Sequence, residues 1–229
     1  MDTDTDQTDS RVLPDQVRML TWFSAAFPTG AFAYSHGLER AVHDGLVSDR
    51  QTLETWLADL MAYGTGWNDA IVCAHAWRAA VAGEDCRAIS DLAIALHGSS
   101  ERALESLAQG NAFVAAARAW PAPAVPTLPQ DCPLPVAVGA VTGCHGIPRS
   151  VAVAAFLQSF VNGLVQGCLR LLPIGQQAGL EIIAALEPRL IAIAEAASEA
   201  SLDDLGSATL MSEIVAMKHE TQSSRIFRS

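Results

Sequence analysis

Four side chains that could transfer a proton or act as a nucleophile stand close together near the start of the sequence: Tyr34, Ser35, His36 and Glu39. A serine and a histidine can form a nucleophile and its general base when the hydroxyl hydrogen-bonds to the imidazole. Adjacent residues on a helix project about 100° apart, so Ser35 and His36 cannot make that bond. We therefore expect surface or capping roles for these two residues.

Histidine and cysteine residues supply possible ligands for a soft metal ion. His36 and His43 are seven positions apart, which puts them on one helix face but about 10.5 Å apart along its axis, too far for one ion. Cys144 and His145 lie in a glycine-flanked turn with Cys132 upstream, but no further ligand at metal-site spacing completes the set. We expect no metal or cofactor, and a carrier using His36, His43, Cys144 or His145 is the alternative.

Nucleotide chemistry has little support in the sequence. A Walker-type phosphate loop needs a lysine, and the chain contains a single one, Lys218 in AMKHE. Lys218 is also the only candidate for a Schiff base, and its charged neighbours predict an exposed side chain. No spacing assembles a nucleophile, a base and an orienting group, so we predict a protein without catalytic activity.

Charge and composition exclude further classes of function. A net charge of −11 and a pI near 4.8 oppose binding to the nucleic-acid backbone or an anionic membrane. The start, MDTDTDQTDS, lacks the basic and apolar regions of a signal peptide, so we predict a cytoplasmic protein in which residues 1–12 form a disordered acidic tail. The five cysteines are scattered without a CxxC pattern, and we expect free thiols, mostly in the core.

Apolar residues recur at helical spacing along most of the chain. In LETWLADLMAYG (53–64) such residues share one face behind Ser48 and Asp49, which suit an N-cap. Similar stripes predict further helices, over 68–82, 86–97 and 100–120. The six prolines of residues 121–135 remove backbone donors, so we expect a non-helical connection there.

Residues 151–175 are apolar nearly all round, apart from a narrow polar stripe formed by Gln158, Asn162, Gln166 and Arg170. Amides and an arginine interrupt the apolar run that a membrane span needs, so we interpret this segment as a central helix enclosed by others. The stripe must face a polar partner, water or a channel. An inter-helix hydrogen-bond network is favoured over a hydrated path for a metal.

Further helices are predicted at 176–199 and 204–221, and no stretch shows the alternation of a strand. The sequence thus predicts an all-α protein, with a single globular domain of roughly eight to ten helices around the central apolar helix, over residues 13–221.

Residues 222–229 are predicted to form a docking tail. Arg225 and Arg228 flank Ile226 and Phe227 in a stretch too short to fold alone. The tail either packs back on its own domain or anchors a partner, since arginine and aromatic residues are enriched at interfaces.

Three stretches together resemble the urease accessory protein F (UreF) family. FPTGAFAYSHGLERAV (27–42) is similar to the family's proline, glycine and GLE pattern, and RLLPIGQQAG (170–179) to its R-L-x-P-L-G-Q signature. MKHETQSSRIFRS (217–229) is similar to its terminal H-E-T-Q-x-S-R-L-F-R-S. The order and separation of the motifs extend the resemblance over residues 17–229.

The resemblance implies an all-α adaptor without catalysis that assembles with UreD (also called UreH), recruits the GTPase UreG and serves nickel delivery to apo-urease. It also implies a homodimer within that complex. The residues matching the motifs are expected to bind partners: Gly30, Phe32, Tyr34, Gly37, Glu39, Arg170, Gln176, His219, Glu220, Arg225, Phe227, Arg228 and Ser229. A nickel carrier is the competing class, and an all-α hydrolase is the least supported.

The first motif can also be interpreted from its residues. Pro28 and Gly30 predict a turn before a helix that begins near Tyr34. On that helix Leu38, Ala41 and Val42 are expected to pack inward, and Gly37 would permit close approach of another backbone.

Overall fold

A computed structural model describes the backbone of residues 4–122 and 128–229 and the side chains from residue 13 onward. Within those ranges the chain forms ten α-helices, two short 3₁₀ turns (Ala31–Ala33 and Leu202–Asp204) and no strand. The helices are α1 (Asp4–Trp22), α2 (Leu38–His43), α3 (Arg50–Tyr63), α4 (Thr65–Ala82), α5 (Arg87–Ala95), α6 (Ser100–Ala117), α7 (Leu134–Cys144), α8 (Arg149–Cys168), α9 (Gln176–Glu199) and α10 (Leu210–His219). The predicted all-α class is confirmed.

Helices α4 and α7 form the centre of the core. Every residue from Pro135 to Gly143 is buried. A Cβ on Gly139 would overlap the carbonyl oxygen of Cys73, so this glycine lets the two helix backbones approach closely. Around this pair pack α6, α8 and α9, and α10 packs on α2.

Helix α8 has the length and hydropathy of a membrane span, but 50% of its most apolar window is buried inside the protein, as in a core helix. Among the residues that the structure describes, its polar stripe does not form the predicted inter-helix network. Gln158 donates to Asn162 at 3.3 Å within α8 itself. Gln166 and Arg170 are exposed and need no buried partners.

Local sequence patterns predicted the positions of several helices correctly. Asp49 caps α3 and forms a capping box with Thr52, as its position after Ser48 predicted. Helix α9 occupies the predicted range 176–199. Four cysteines are buried and Cys144 is partly buried, all as free thiols.

Three predicted boundaries are wrong for identifiable reasons. Helix α2 begins at Leu38 and not near Tyr34, because His36 and Gly37 have positive φ angles of 59° and 77°. Helix α7 begins inside the proline-rich connection, because Pro135 lies in a first turn, where no backbone donor is required. Helix α10 begins only at Leu210, after a 3₁₀ turn and an extended stretch.

The domain division stays a prediction. Helix α1 begins at Asp4, so its backbone runs through most of the segment for which the sequence predicts disorder. Residues 123–127 of the proline-rich connection lie outside the described ranges.

Candidate functional site

The three motifs, far apart in sequence, meet in space around the C-terminal segment, which we define as residues 220–229. Arg170 of the second motif donates to the backbone oxygen of Phe32 in the first at 3.0 Å, and its guanidinium lies 4.5 Å from the ring centre of Phe227 in the third. The backbone N–H of Ser35 donates to the Ser229 oxygen at 2.9 Å, and that of Arg228 donates to Ala33 at 2.8 Å. The segment therefore packs along the first motif.

Glu39 on α2 holds the middle of the segment. Its carboxylate accepts the backbone N–H groups of Ile226 at 2.7 Å and Phe227 at 2.9 Å. Glu39 is only 6% exposed, and a carboxylate this buried is costly unless it is paired and hydrogen-bonded. The two backbone donors meet that need and fix the register of the segment.

His219 completes this arrangement at the end of α10. Its Nε2 lies 3.3 Å from Glu39 and its Nδ1 lies 2.7 Å from Glu101, while the Arg225 guanidinium contacts the other oxygen of Glu101. His219 is fully buried. The side chain thus links α2, α6 and α10.

A second buried cluster receives the last residue of the sequence. The Ser229 hydroxyl donates to Glu105 at 2.6 Å, and Arg102 pairs with the same carboxylate at 2.5 Å. Burial would raise the pKa of Glu105, but Arg102, His36 and Ser229 together lower it to about 2. Burial lowers the pKa of His36 to about 4, so this imidazole is neutral near pH 7.

The first motif approaches α10 closely at Gly37. A Cβ there would lie 3.1 Å from the backbone nitrogen of Ala216, and the φ of 77° is itself unfavourable for other residues. The predicted close approach is confirmed. The predicted inward packing also holds, because Leu38 and Ala41 are buried and Val42 packs against the core.

The expected surface role is wrong for Ser35 and His36, which are 1% and 3% exposed. Ser35 does act at a helix start, because its hydroxyl accepts the backbone N–H of Glu39 at 3.3 Å. The burial of Ser35 follows from the docked segment, since its hydroxyl also donates to the Ser229 oxygen.

The residues expected to bind partners divide into a buried and an accessible group. The buried group packs within its own domain: Tyr34, Gly37, Glu39, His219, Phe227 and Ser229. Gly30 is partly buried, and the accessible group is Phe32, Arg170, Gln176, Glu220, Arg225 and Arg228. Partner binding by either group stays a prediction.

Besides Arg225, which contacts Glu101, two of the accessible residues already have structural roles. Glu220 accepts the backbone N–H and the hydroxyl of Ser100 at 2.8 Å each, at the start of α6, and these bonds lower its pKa. A carboxylate is favourable at a helix N-terminus. Arg170 joins Phe32 to Phe227, whereas the Phe32 ring is itself 79% exposed. The outward side chains of Phe32, Ile226 and Arg228 form what we call the exposed rim.

The candidate metal ligands occupy different surroundings. His36 lies in the buried cluster, His43 is exposed at the end of α2, and the His145 ring packs 5.0 Å from that of Trp22. Among the residues that the structure covers, no group of three or more His, Cys, Asp or Glu side chains is arranged to hold a metal ion.

Sequence reasoning missed Glu101, Arg102 and Glu105. All three lie on α6. The available signal was their concentration within five residues of the helix start, but only the folded chain brings Glu101 to His219 and Glu105 to Ser229.

These features define an all-α protein whose best-organised polar site binds its own C-terminal segment. The chain belongs to the UreF family, whose model matches residues 47–187. It is 55% identical over 213 residues to the urease accessory protein UreF of Brucella ovis, covering 93% of both chains. The urease accessory protein UreF of Mesorhizobium japonicum is 48% identical over 225 residues, covering 98% of this chain and all of the relative.

Proposed function

We propose that this chain is a non-enzymatic accessory protein of urease maturation. In this proposal it acts in the cytoplasm as an adaptor that joins UreD/UreH and the GTPase UreG on apo-urease, so that nickel can be inserted. Nickel is then the cargo of the assembly, and a homodimer forms within the complex. Family membership and the names of the relatives support the role in urease maturation.

The observation that carries the adaptor role is the convergence of the three motifs. They meet through an exposed hydrogen bond from Arg170 to Phe32 and buried bonds to Glu39, beside an exposed rim of one aromatic, one aliphatic and one cationic side chain. Aromatic and arginine side chains are the types that most often dominate binding energy at interfaces. Glu39 and Ser35 bind the C-terminal segment through hydrogen bonds. These bonds hold its rim residues Ile226 and Arg228 in one conformation, which lowers the entropy cost of binding.

Co-purification with tagged UreD/UreH and tagged UreG tests the proposal. The wild-type chain should be retained by UreD/UreH, and UreG should join the assembly. Phe32→Asp and Arg228→Glu should reduce retention without changing the melting temperature, since both side chains point outward. Arg50→Ala, a surface change on α3, serves as the control. No retention of the wild type by either partner under low salt would refute the adaptor role.

The alternative, a nickel carrier, predicts a different result in calorimetry. A carrier should bind Ni²⁺ tightly and stoichiometrically and should lose that site in Cys144→Ala. An adaptor should show no such site.

A further inference from the structure

Two arginines at the exposed rim have no carboxylate partner. Among the residues that the structure describes, Arg170 and Arg228 lack an acidic side chain within ion-pair distance, whereas Arg225 has one. The chain carries 25 acidic residues against 14 lysines and arginines, so carboxylates are not scarce. Two guanidinium groups therefore stay unneutralised beside the apolar side chains of Phe32 and Ile226, which are 79% and 60% exposed.

The Arg170 guanidinium is fixed by contacts within the chain. Its Nη1 donates to the backbone oxygen of Phe32 at 3.0 Å, and its central carbon lies 4.5 Å from the ring centre of Phe227. A guanidinium has five N–H donors, so most of them remain available to a ligand. Arginine can bind a carboxylate through two parallel hydrogen bonds, and a group that is already fixed loses less entropy when it does so.

The Arg228 side chain is also oriented by the docked segment. The backbone N–H of Arg228 donates to Ala33 at 2.8 Å, directly after Phe32 in the sequence. Phe227 is 3% exposed, whereas Ile226 and Arg228 on either side of it are exposed, the alternation of an extended chain. The exposed rim thus presents a cationic side chain and apolar side chains next to each other.

We propose that the exposed rim and Arg170 bind an acidic, partly apolar segment of a protein partner. In this proposal aspartate or glutamate side chains of the segment pair with Arg170 and Arg228, and its apolar side chains pack on Phe32. The proposal rests on the proposed function, because it names the chemistry by which the exposed rim would select a segment of a partner.

The adjoining cavity does not cancel the positive charge of the two arginines. Arg170 also lines a cavity of about 520 Å³, with three further side chains that can be charged at pH 7: Asp69, Arg102 and Glu105. Arg102 pairs with Glu105, so Asp69 offsets at most the charge of Arg170. Arg228 does not line the cavity and keeps its charge. The exposed rim and the cavity together are therefore positive, which favours an acidic segment over a basic one.

The charge of the whole chain limits which partner can carry that segment. A net charge of −11 repels acidic molecules at long range. Salt screens this repulsion beyond about 8 Å at physiological ionic strength, so contacts at the exposed rim decide which segment stays bound. A partner with an overall positive charge and one acidic segment meets both conditions.

Two synthetic peptides test the chemistry on the full-length chain. One is acetyl-Asp-Leu-Phe-Asp-amide, and the other is its uncharged analogue acetyl-Asn-Leu-Phe-Asn-amide. The acidic peptide should shift the NMR amide signals of Phe32, Ile226 and Arg228. It should bind about three- to thirtyfold more tightly than the analogue, the gain expected for two exposed ion pairs.

Substitutions should change this preference for the acidic peptide in a defined way. Arg228→Glu should abolish it, because the variant adds a repulsive charge. Arg189→Glu, an exposed change on α9 with the same effect on net charge, should leave it unaltered. Arg170→Gln keeps a donor for the Phe32 oxygen and should lower the affinity for the acidic peptide about two- to fivefold, the loss of one exposed ion pair.

Three results would overturn the proposal. The first is equal affinity of the wild type for the two peptides, and the second is an unchanged preference in Arg228→Glu. The third is displacement of the acidic peptide by inorganic phosphate at a similar concentration, which would indicate a general anion site.

The partner arm uses the co-purification described above. A saturating concentration of the acidic peptide should release UreD/UreH or UreG from the wild type, whereas the same concentration of the analogue should not. Full retention of both partners with the acidic peptide bound would overturn the docking proposal while the adaptor role stands. Failure of the wild type to assemble would refute the adaptor role, and the two peptides would still test the chemistry of the exposed rim.

Discussion

Replacing Glu39 with glutamine should release the C-terminal segment. The carboxylate accepts two backbone N–H groups, from Ile226 and Phe227, and faces His219. Hydrogen bonds to a charged group contribute about 1.5–3 kcal/mol each, and a neutral one about 1 kcal/mol. Glutamine keeps one acceptor oxygen and turns its NH₂ group toward a backbone donor. We therefore expect docking to weaken by about 2–4 kcal/mol.

Amide hydrogen exchange measures this loss where it occurs. A weakening of 2–4 kcal/mol corresponds to roughly a 30- to 1,000-fold loss of protection at Ile226 and Phe227, provided that the segment opens locally. The free energy of global unfolding should fall by no more than this, because the loss cannot exceed the free energy with which the segment docks on the helices. Glu54→Gln, which alters an exposed ion pair on α3, is the matched control.

The reasoning would be refuted if Glu39→Gln kept protection at both amides within about threefold of wild type. That result would mean that packing of the Phe227 ring, and not the Glu39 carboxylate, holds the segment.

Three further substitutions test other contacts. Gly37→Ala should lower the free energy of unfolding by at least about 1 kcal/mol more than Gly45→Ala in urea titrations, because both have positive φ but only Gly37 touches another backbone. Phe227→Ala should cost about 3 kcal/mol in the same assay and Ile226→Ala under about 0.5, because the first ring is 3% exposed and the second side chain 60%; equal costs would contradict the docked geometry. Asp69→Asn should raise the melting temperature at pH 8 but not at pH 4. A carboxyl whose folded pKa is raised to about 7 stabilises the fold below its ordinary pKa and loses that contribution as the pH rises through 7, so an equal gain at both pH values would contradict the assignment.

Local sequence signals predicted the features that depend on residues close together in the sequence. The range of α9 follows from apolar spacing, and the start of α3 follows from an aspartate that can cap a helix. The close approach at Gly37 could be expected because glycine alone lacks a Cβ. The all-α class follows because these signals recur along the chain.

The polar clusters could not be predicted in the same way. Ser35 and Ser229 are 194 positions apart, and Glu39 and Phe227 are 188 apart. No periodicity connects such residues, and a buried glutamate looks like a surface one until its partners are known. The family motifs indicated which segments matter, but not that the third motif would pack on the first.

The central claim, that this chain assembles urease accessory proteins through its exposed rim, is tested most directly by one co-purification. Tagged UreD/UreH is mixed with UreG and either wild type or Phe32→Asp, and the retained proteins are quantified. The account predicts that wild type is retained together with UreG, and that Phe32→Asp loses UreG, UreD/UreH or both while its melting temperature is unchanged. Equal retention of both partners by the two proteins would contradict it.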